Sequence, residues 1–371
     1  MPNPLPEADA ASLGFAPAPL DALDRLIRGH IEEDRYPGAQ IALARHGKLA
    51  LFRTYGDARI ERARQPATNQ TLFLLFSQTK VLTSAAVWSL VEDGRLSFMD
   101  RVADHLPEFA ARGKAAITLH QVMTHQGGFP SADVSRASWA DHARMRAEVC
   151  DFSLEWTPGS RMQYHGRAAH YVQAMVVEAV TGRDYRAVIR ERVVEPLGLG
   201  EDILVGVPAE KQARCADIHA PPEGGLRDNS PEFRAAGLPH GGGFGTARGM
   251  AAVYQMMLNQ GRLNGVRAFS PRLLAYVTRN HTGETPDAFM DGIPMHRGLG
   301  PHVRGLSERI RGLGTLAAPD TFGHGGVGSS YSWADPASGV SFSYLTNTVQ
   351  PDPWHSLRLD RVSNLIHAAI D

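Results

Sequence analysis

Ser77-Gln78-Thr79-Lys80 sets a hydroxyl and an amine three residues apart. In a helix that spacing puts both groups on one face, where the amine can reach the hydroxyl. A serine relieved of its proton is a nucleophile. The residues that follow fit a helix. Val81, Leu82, Ala85, Ala86, Trp88, Leu90 and Val91 recur at the spacing of a half-buried helix, and Gly94 suits its end. Ser77 would then stand at a helix start, where unpaired amides and the dipole favour negative charge. The same residues also read as an N-cap followed by a solvated lysine, so other groups must decide.

Tyr164 precedes another helix. Beside a lysine ammonium a phenol loses its proton more easily, and it could take the serine proton. Elsewhere it would be a packing residue with a wet hydroxyl. His324-Gly325-Gly326 lies in a glycine-rich stretch, 323–328. It reads either as a close-packed strand or as a strand edge where a substrate approaches the backbone and an amide completes an oxyanion hole. His240-Gly241-Gly242-Gly243 is like the oxyanion loop of lipase-type hydrolases, but no G-x-S-x-G elbow exists in the chain. His120 and His125 are five apart, the wrong spacing for one metal, and read as structural. No H-E-x-x-H, phosphate loop or dinucleotide fingerprint occurs. Cys150 and Cys215 are the only cysteines, and neither sits in a nucleophile pattern.

These groups need elements to hold them. A helix is expected over 20–34, then strands at 40–45 and 49–55 joined by His46-Gly47-Lys48. Thr118 caps a short helix that ends at Gln126-Gly127-Gly128. Further helices are expected at 167–180, 185–194, 248–259 and 354–370, and strands at 321–324, 330–334 and 340–347. The stretches 132–152, 220–237 and 281–300 read as pocket-walling loops. The pattern predicts an α+β fold. Residues 18–75 and 240–371 would build an antiparallel sheet flanked by helices. Residues 76–239 would form a mainly helical subdomain, with the active site between the two. Residues 1–17, rich in Pro and Ala, read as a flexible tail.

The chain has 371 residues, enough for two subdomains. Its hydrophobic content of 43% and charged content of 21% are ordinary for a globular protein. A formal net charge of −1 argues against nucleic-acid binding. No apolar run approaches membrane-spanning length, and the N-terminus lacks a secretory pattern. The expectation is a cytoplasmic protein without metal or other cofactor, its oligomeric state open.

Together the motifs resemble the serine β-lactamase/penicillin-binding-protein superfamily, in its class C-like branch. That branch includes β-lactamases, D-alanyl-D-alanine carboxypeptidases, family VIII carboxylesterases and acyltransferases. Its order, S-x-x-K, then Y-x-N, then K-T-G or H-x-G, is met by Ser77–Lys80, Tyr164-His165-Gly166 and His324-Gly325-Gly326. The surroundings Met123 to Pro130, Trp156 to Gly159 and Gly242 to Ala247 are similar too. The resemblance implies that Ser77 is acylated, that Lys80 and Tyr164 share the base work, and that the amides of Ser77 and Val327 hold the oxyanion. His324, Gly325, Gly326, His165 and Gly166 would line the substrate site. Two departures stand out. Gly166 replaces an asparagine that binds the substrate's amide, and His324 replaces a lysine that suits a carboxylate. Both tilt the expectation towards a small-molecule ester, with β-lactamase, D-amino-acid amidase or peptidase, and acyltransferase as enzyme alternatives. A non-catalytic binding protein on the same fold is the alternative from another class.

Overall fold

The computed structural model describes residues 4–61, 63–219, 228–307 and 312–371. Its main sheet has seven strands. In spatial order they are Gln65–Pro66, Lys48–Arg59, Gly38–Arg45, Val340–Thr346, Tyr331–Asp335, Phe322–Gly325 and His302–Val303. Neighbouring strands run antiparallel, with Ile41 opposite Tyr344 and His324 opposite Ser332. Both ends of the chain thus build one sheet.

Side-chain alternation explains why both faces of this sheet are covered. Ala39, Ile41 and Leu43 face one core, packed with Leu20, Leu23 and Ile27 of the helix Pro17–Glu32 and with Val362 and Ile366 of the helix Trp354–His367. Ala42 and Ala44 face the other core, with Ala251 and Met250 of the helix Ala247–Leu258. Small residues on that side let the helix lie close, and the Ser341 hydroxyl donates to the Ala251 carbonyl at 2.9 Å.

The helix Thr79–Glu92 is buried on every side from Thr79 to Leu90, where a half-buried helix was expected. The reason is its position between other elements. Ser84 donates to Gln173 Oε1 at 3.0 Å, on the helix Ala168–Thr181. Thr83 donates to the Pro239 carbonyl at 2.7 Å, and Trp88 Nε1 to the Leu299 carbonyl at 2.8 Å. A helix with apolar and small residues all round has no face for water.

The expected flexible tail is instead packed where it is described. Leu5 and Phe15 are buried, Glu7 bridges to Leu49, and Ala16 donates its amide to the Ala369 carbonyl at 2.8 Å. Its leucine and phenylalanine have apolar surface to bury, which the Pro/Ala composition hid. Of the expected 220–237 loop, 220–227 lie outside the described residues, and Pro231–Ala236 is a helix capped by Ser230. The expected helix 185–194 is α-helical over Tyr185–Ile189 and widens to a π-turn over Arg190–Val194. Among the described residues no helix is long and apolar enough to cross a membrane.

Candidate active site

A small three-stranded sheet, Phe73–Leu74, Gly243–Gly245 and Ile203–Val205, carries the chain into the Ser77 turn. Phe73 pairs with Gly245 and Leu74 with Phe244. The glycine run therefore lies against the serine. A Cβ on Gly243 would sit 2.9 Å from Thr79 Oγ1, whose hydroxyl oxygen instead accepts the Gly243 amide at 3.0 Å. Phe76, the residue before Ser77, has φ 48, a left-handed conformation that is strained for a bulky side chain. Such strain typically costs about 1–3 kcal/mol and collects at functional sites. Residues Phe76–Gln78 then form one 3₁₀ turn that feeds the helix from Thr79.

Lys80 Nζ donates to Ser77 Oγ at 2.9 Å and to the His240 carbonyl at 2.7 Å. Tyr164 joins them, hydrogen-bonded to both Ser77 and Lys80. The nitrogen lies 5.3 Å from the Tyr164 ring centre. Lys80 is fully buried. Burial pushes its ammonium pKa below the usual lysine range; the Tyr164 phenol opposes this, and Arg297 and Arg167 push further down. Burial alone would raise the Tyr164 phenol. The Lys80 charge, hydrogen bonds from Ser77 and Lys80, and Arg297 outweigh it and hold the phenol below its ordinary value. Both the amine and the phenol thus give up a proton more readily than they would in water, as suits a pair that takes and returns one proton.

Strand Phe322–Gly325 reaches the opposite side. A Cβ on Gly326 would stand 2.9 Å from Phe76 Cβ and 3.1 Å from the Leu75 carbonyl, so only glycine lets this strand end meet the Ser77 turn. Val327, next along, is 48% exposed, and its amide follows the close contact. His324 is buried, 6.4 Å from the Tyr164 ring and 4.1 Å from the His302 ring. A Cβ built on Gly166 meets nothing within 4 Å. His165 departs from the expectation of a substrate-lining group. It is fully buried, Nδ1–H donates to the Gln163 carbonyl at 2.6 Å, and Nε2 accepts the Phe129 amide at 3.1 Å. Both ring nitrogens serve the backbone, so none is left for a ligand.

Three features carried no usable sequence signal. The His240 carbonyl is a backbone acceptor, which any residue type supplies. His125 packs its ring 4.9 Å from that of Tyr164 and accepts the His165 amide on Nδ1 at 3.1 Å. His120, five residues earlier, pairs instead with His281 at 3.2 Å. The third feature is Arg297, whose guanidinium lies 4.9 Å over the Tyr164 ring. His125, His170 and His240 are held well below the usual histidine range, first by burial and then by nearby positive charge. They remain neutral near pH 7.

The beta-lactamase family model matches residues 23–363. The chain belongs to the beta-lactamase family. The structure is similar to that of a family VIII carboxylesterase, with a TM-score of 0.83 and 26% identity over 96% of this chain and 99% of that one. An esterase/beta-lactamase, LipL, from Mycobacterium tuberculosis is 28% identical over 74% of this chain and 68% of its own length. A putative D-alanyl-D-alanine carboxypeptidase from Escherichia coli K12 is 27% identical over 92% and 85%. The protein is a serine hydrolase on the β-lactamase/transpeptidase-like fold.

Proposed function

We propose that this hydrolase is a carboxylesterase that cleaves a small-molecule ester through an acyl-serine intermediate. The observation that carries the reading is the 2.9 Å contact between Lys80 Nζ and Ser77 Oγ, in a buried site shared with Tyr164. The Lys80–Tyr164 pair takes the Ser77 proton as Oγ attacks the ester carbonyl. The amides of Ser77 and Val327 hold the resulting oxyanion. The pair passes its proton to the departing alkoxide, and the C–O bond breaks. Water, deprotonated by the same pair, then releases the acid and restores Ser77. General-base help of this kind typically contributes about 10²–10⁴-fold, and one oxyanion donor about 10²–10³-fold.

The ester preference rests on two residues. Gly166 offers no side-chain amide to an amide substrate. His324 stands where a permanent cation would serve a carboxylate. Steady-state rates with p-nitrophenyl esters, nitrocefin and D-Ala-D-Ala peptides test this. Ester turnover is expected to dominate, and cephalosporin or peptide turnover well above ester turnover would defeat it.

A further inference from the structure

Tyr164 is gripped from behind by one ion pair. Asp287 Oδ2 accepts from Arg297 Nη2 at 2.6 Å, and both side chains are buried, at 0% and 2% exposed. Asp287 Oδ1 accepts the Tyr164 amide at 3.4 Å and the Phe289 amide at 2.9 Å. The backbone is tied at the same place, since Ala288 donates its amide to the Met162 carbonyl at 3.0 Å. The Arg297 guanidinium covers the Tyr164 ring, while its Nε and Nη1 are buried without hydrogen-bond partners. A buried ion pair adds little stability against an apolar replacement, and two orphaned donors make this one costlier still. Its worth must then lie elsewhere than in holding the fold together.

We propose that Asp287 and Arg297 form a positioning unit for Tyr164, the carboxylate fixing its backbone and the guanidinium covering its ring so that the phenol yields its proton beside Lys80. The inference rests on the reading of Tyr164 as part of the base. Among the described residues, the titratable and charged groups facing Tyr164 are Lys80, His125, Asp287, Arg297, His302 and His324, each from a different stretch of chain except the ion pair itself. Arg167 also acts on Lys80, and Lys80 in turn acts on the buried His170 and His240. Of the groups facing Tyr164, the Arg297 guanidinium and Lys80 Nζ lie 4.9 Å and 5.3 Å from its ring centre, and both act on the phenol. Arg297 disfavours a proton on either member of the base pair, and Asp287 favours one.

The two single variants must therefore move the acid limb of the pH–rate profile in opposite directions. Arg297→Met should move it upward by about two pH units, the size expected for a unit charge roughly 6 Å away at an effective dielectric near 20. Asp287→Asn keeps an oxygen for the Tyr164 amide but removes the negative charge, and should move the limb downward. Arg297→Lys keeps the cation and should leave it within a few tenths of wild type. The readout is the rate at which a fluorophosphonate labels Ser77 between pH 5 and 9, alongside kcat/KM for p-nitrophenyl butyrate. Uniform loss at every pH with an unmoved limb in Arg297→Met and Asp287→Asn would overturn the proposal. Should Arg297→Met fail to fold, an unmoved limb in Asp287→Asn alone overturns it. A wild type that is not labelled at all would defeat the carboxylesterase reading itself, a distinct result.

Discussion

Gly166→Asn tests the ester preference at the position that carries it. The backbone there is not left-handed, and a Cβ meets nothing within 4 Å, so the branch point of the new side chain brings neither strain nor collision. The added carboxamide gains a contact only when the substrate offers an amide. A neutral hydrogen bond contributes about 1 kcal/mol net, which is about fivefold in rate if realised in the transition state. For esters the change should be within about twofold, because no amide group is there to be met. The assay is kcat/KM for matched p-nitrophenyl ester and p-nitroanilide substrates, with melting temperature as a control. A rise of about fivefold in the anilide-to-ester ratio at unchanged stability is expected. An unchanged ratio in a stable variant would show that Gly166 does not set the preference.

Lys80→Ala should lower ester kcat by about 10²–10⁴-fold with KM changed far less, read from steady-state kinetics; a kcat within tenfold of wild type would remove Lys80 from the base. Gly326→Val should abolish labelling of Ser77, since the new side chain meets Phe76 and the Leu75 carbonyl, while circular dichroism stays native; full labelling would contradict the close approach of the two elements. Burial holds the His165 imidazole at about 4 in the folded protein, against an ordinary value of 6.5. Above pH 6.5 the neutral ring costs nothing, and as pH falls towards 4 the unfolded chain binds a proton that the fold refuses. Stability should therefore drop on that interval by on the order of 2–3 kcal/mol from this residue, measured as the urea midpoint against pH, and His165→Gln should flatten the slope; an equal slope in both proteins would contradict the assignment.

Much of the fold was legible because it obeys simple periods. Ile41 and Leu43 alternate with Ala42 and Ala44, and the strand is where that alternation puts it. Ser77 and Lys80 were legible because a single turn relates them. The three-stranded sheet beneath Ser77 was not, because strands of two or three residues, one of them Gly243–Gly245, are too short to show a period. The Lys80–His240 contact uses a carbonyl, which no residue type marks. The Asp287–Arg297 pair comes from a stretch, 281–300, with loop composition, and its meaning depends on a ring more than a hundred residues earlier in the chain. Conversely, His165 sat in the right motif but points into the backbone, at Gln163 and Phe129, a matter of rotamer that spacing cannot express.

The central claim is that Ser77 becomes covalently acylated. Intact mass spectrometry after a fluorophosphonate probe tests it directly, on wild type and on Ser77→Ala. One adduct per wild-type chain, mapped to Ser77 and absent from the alanine variant, is the predicted result. An adduct that persists in Ser77→Ala would contradict it.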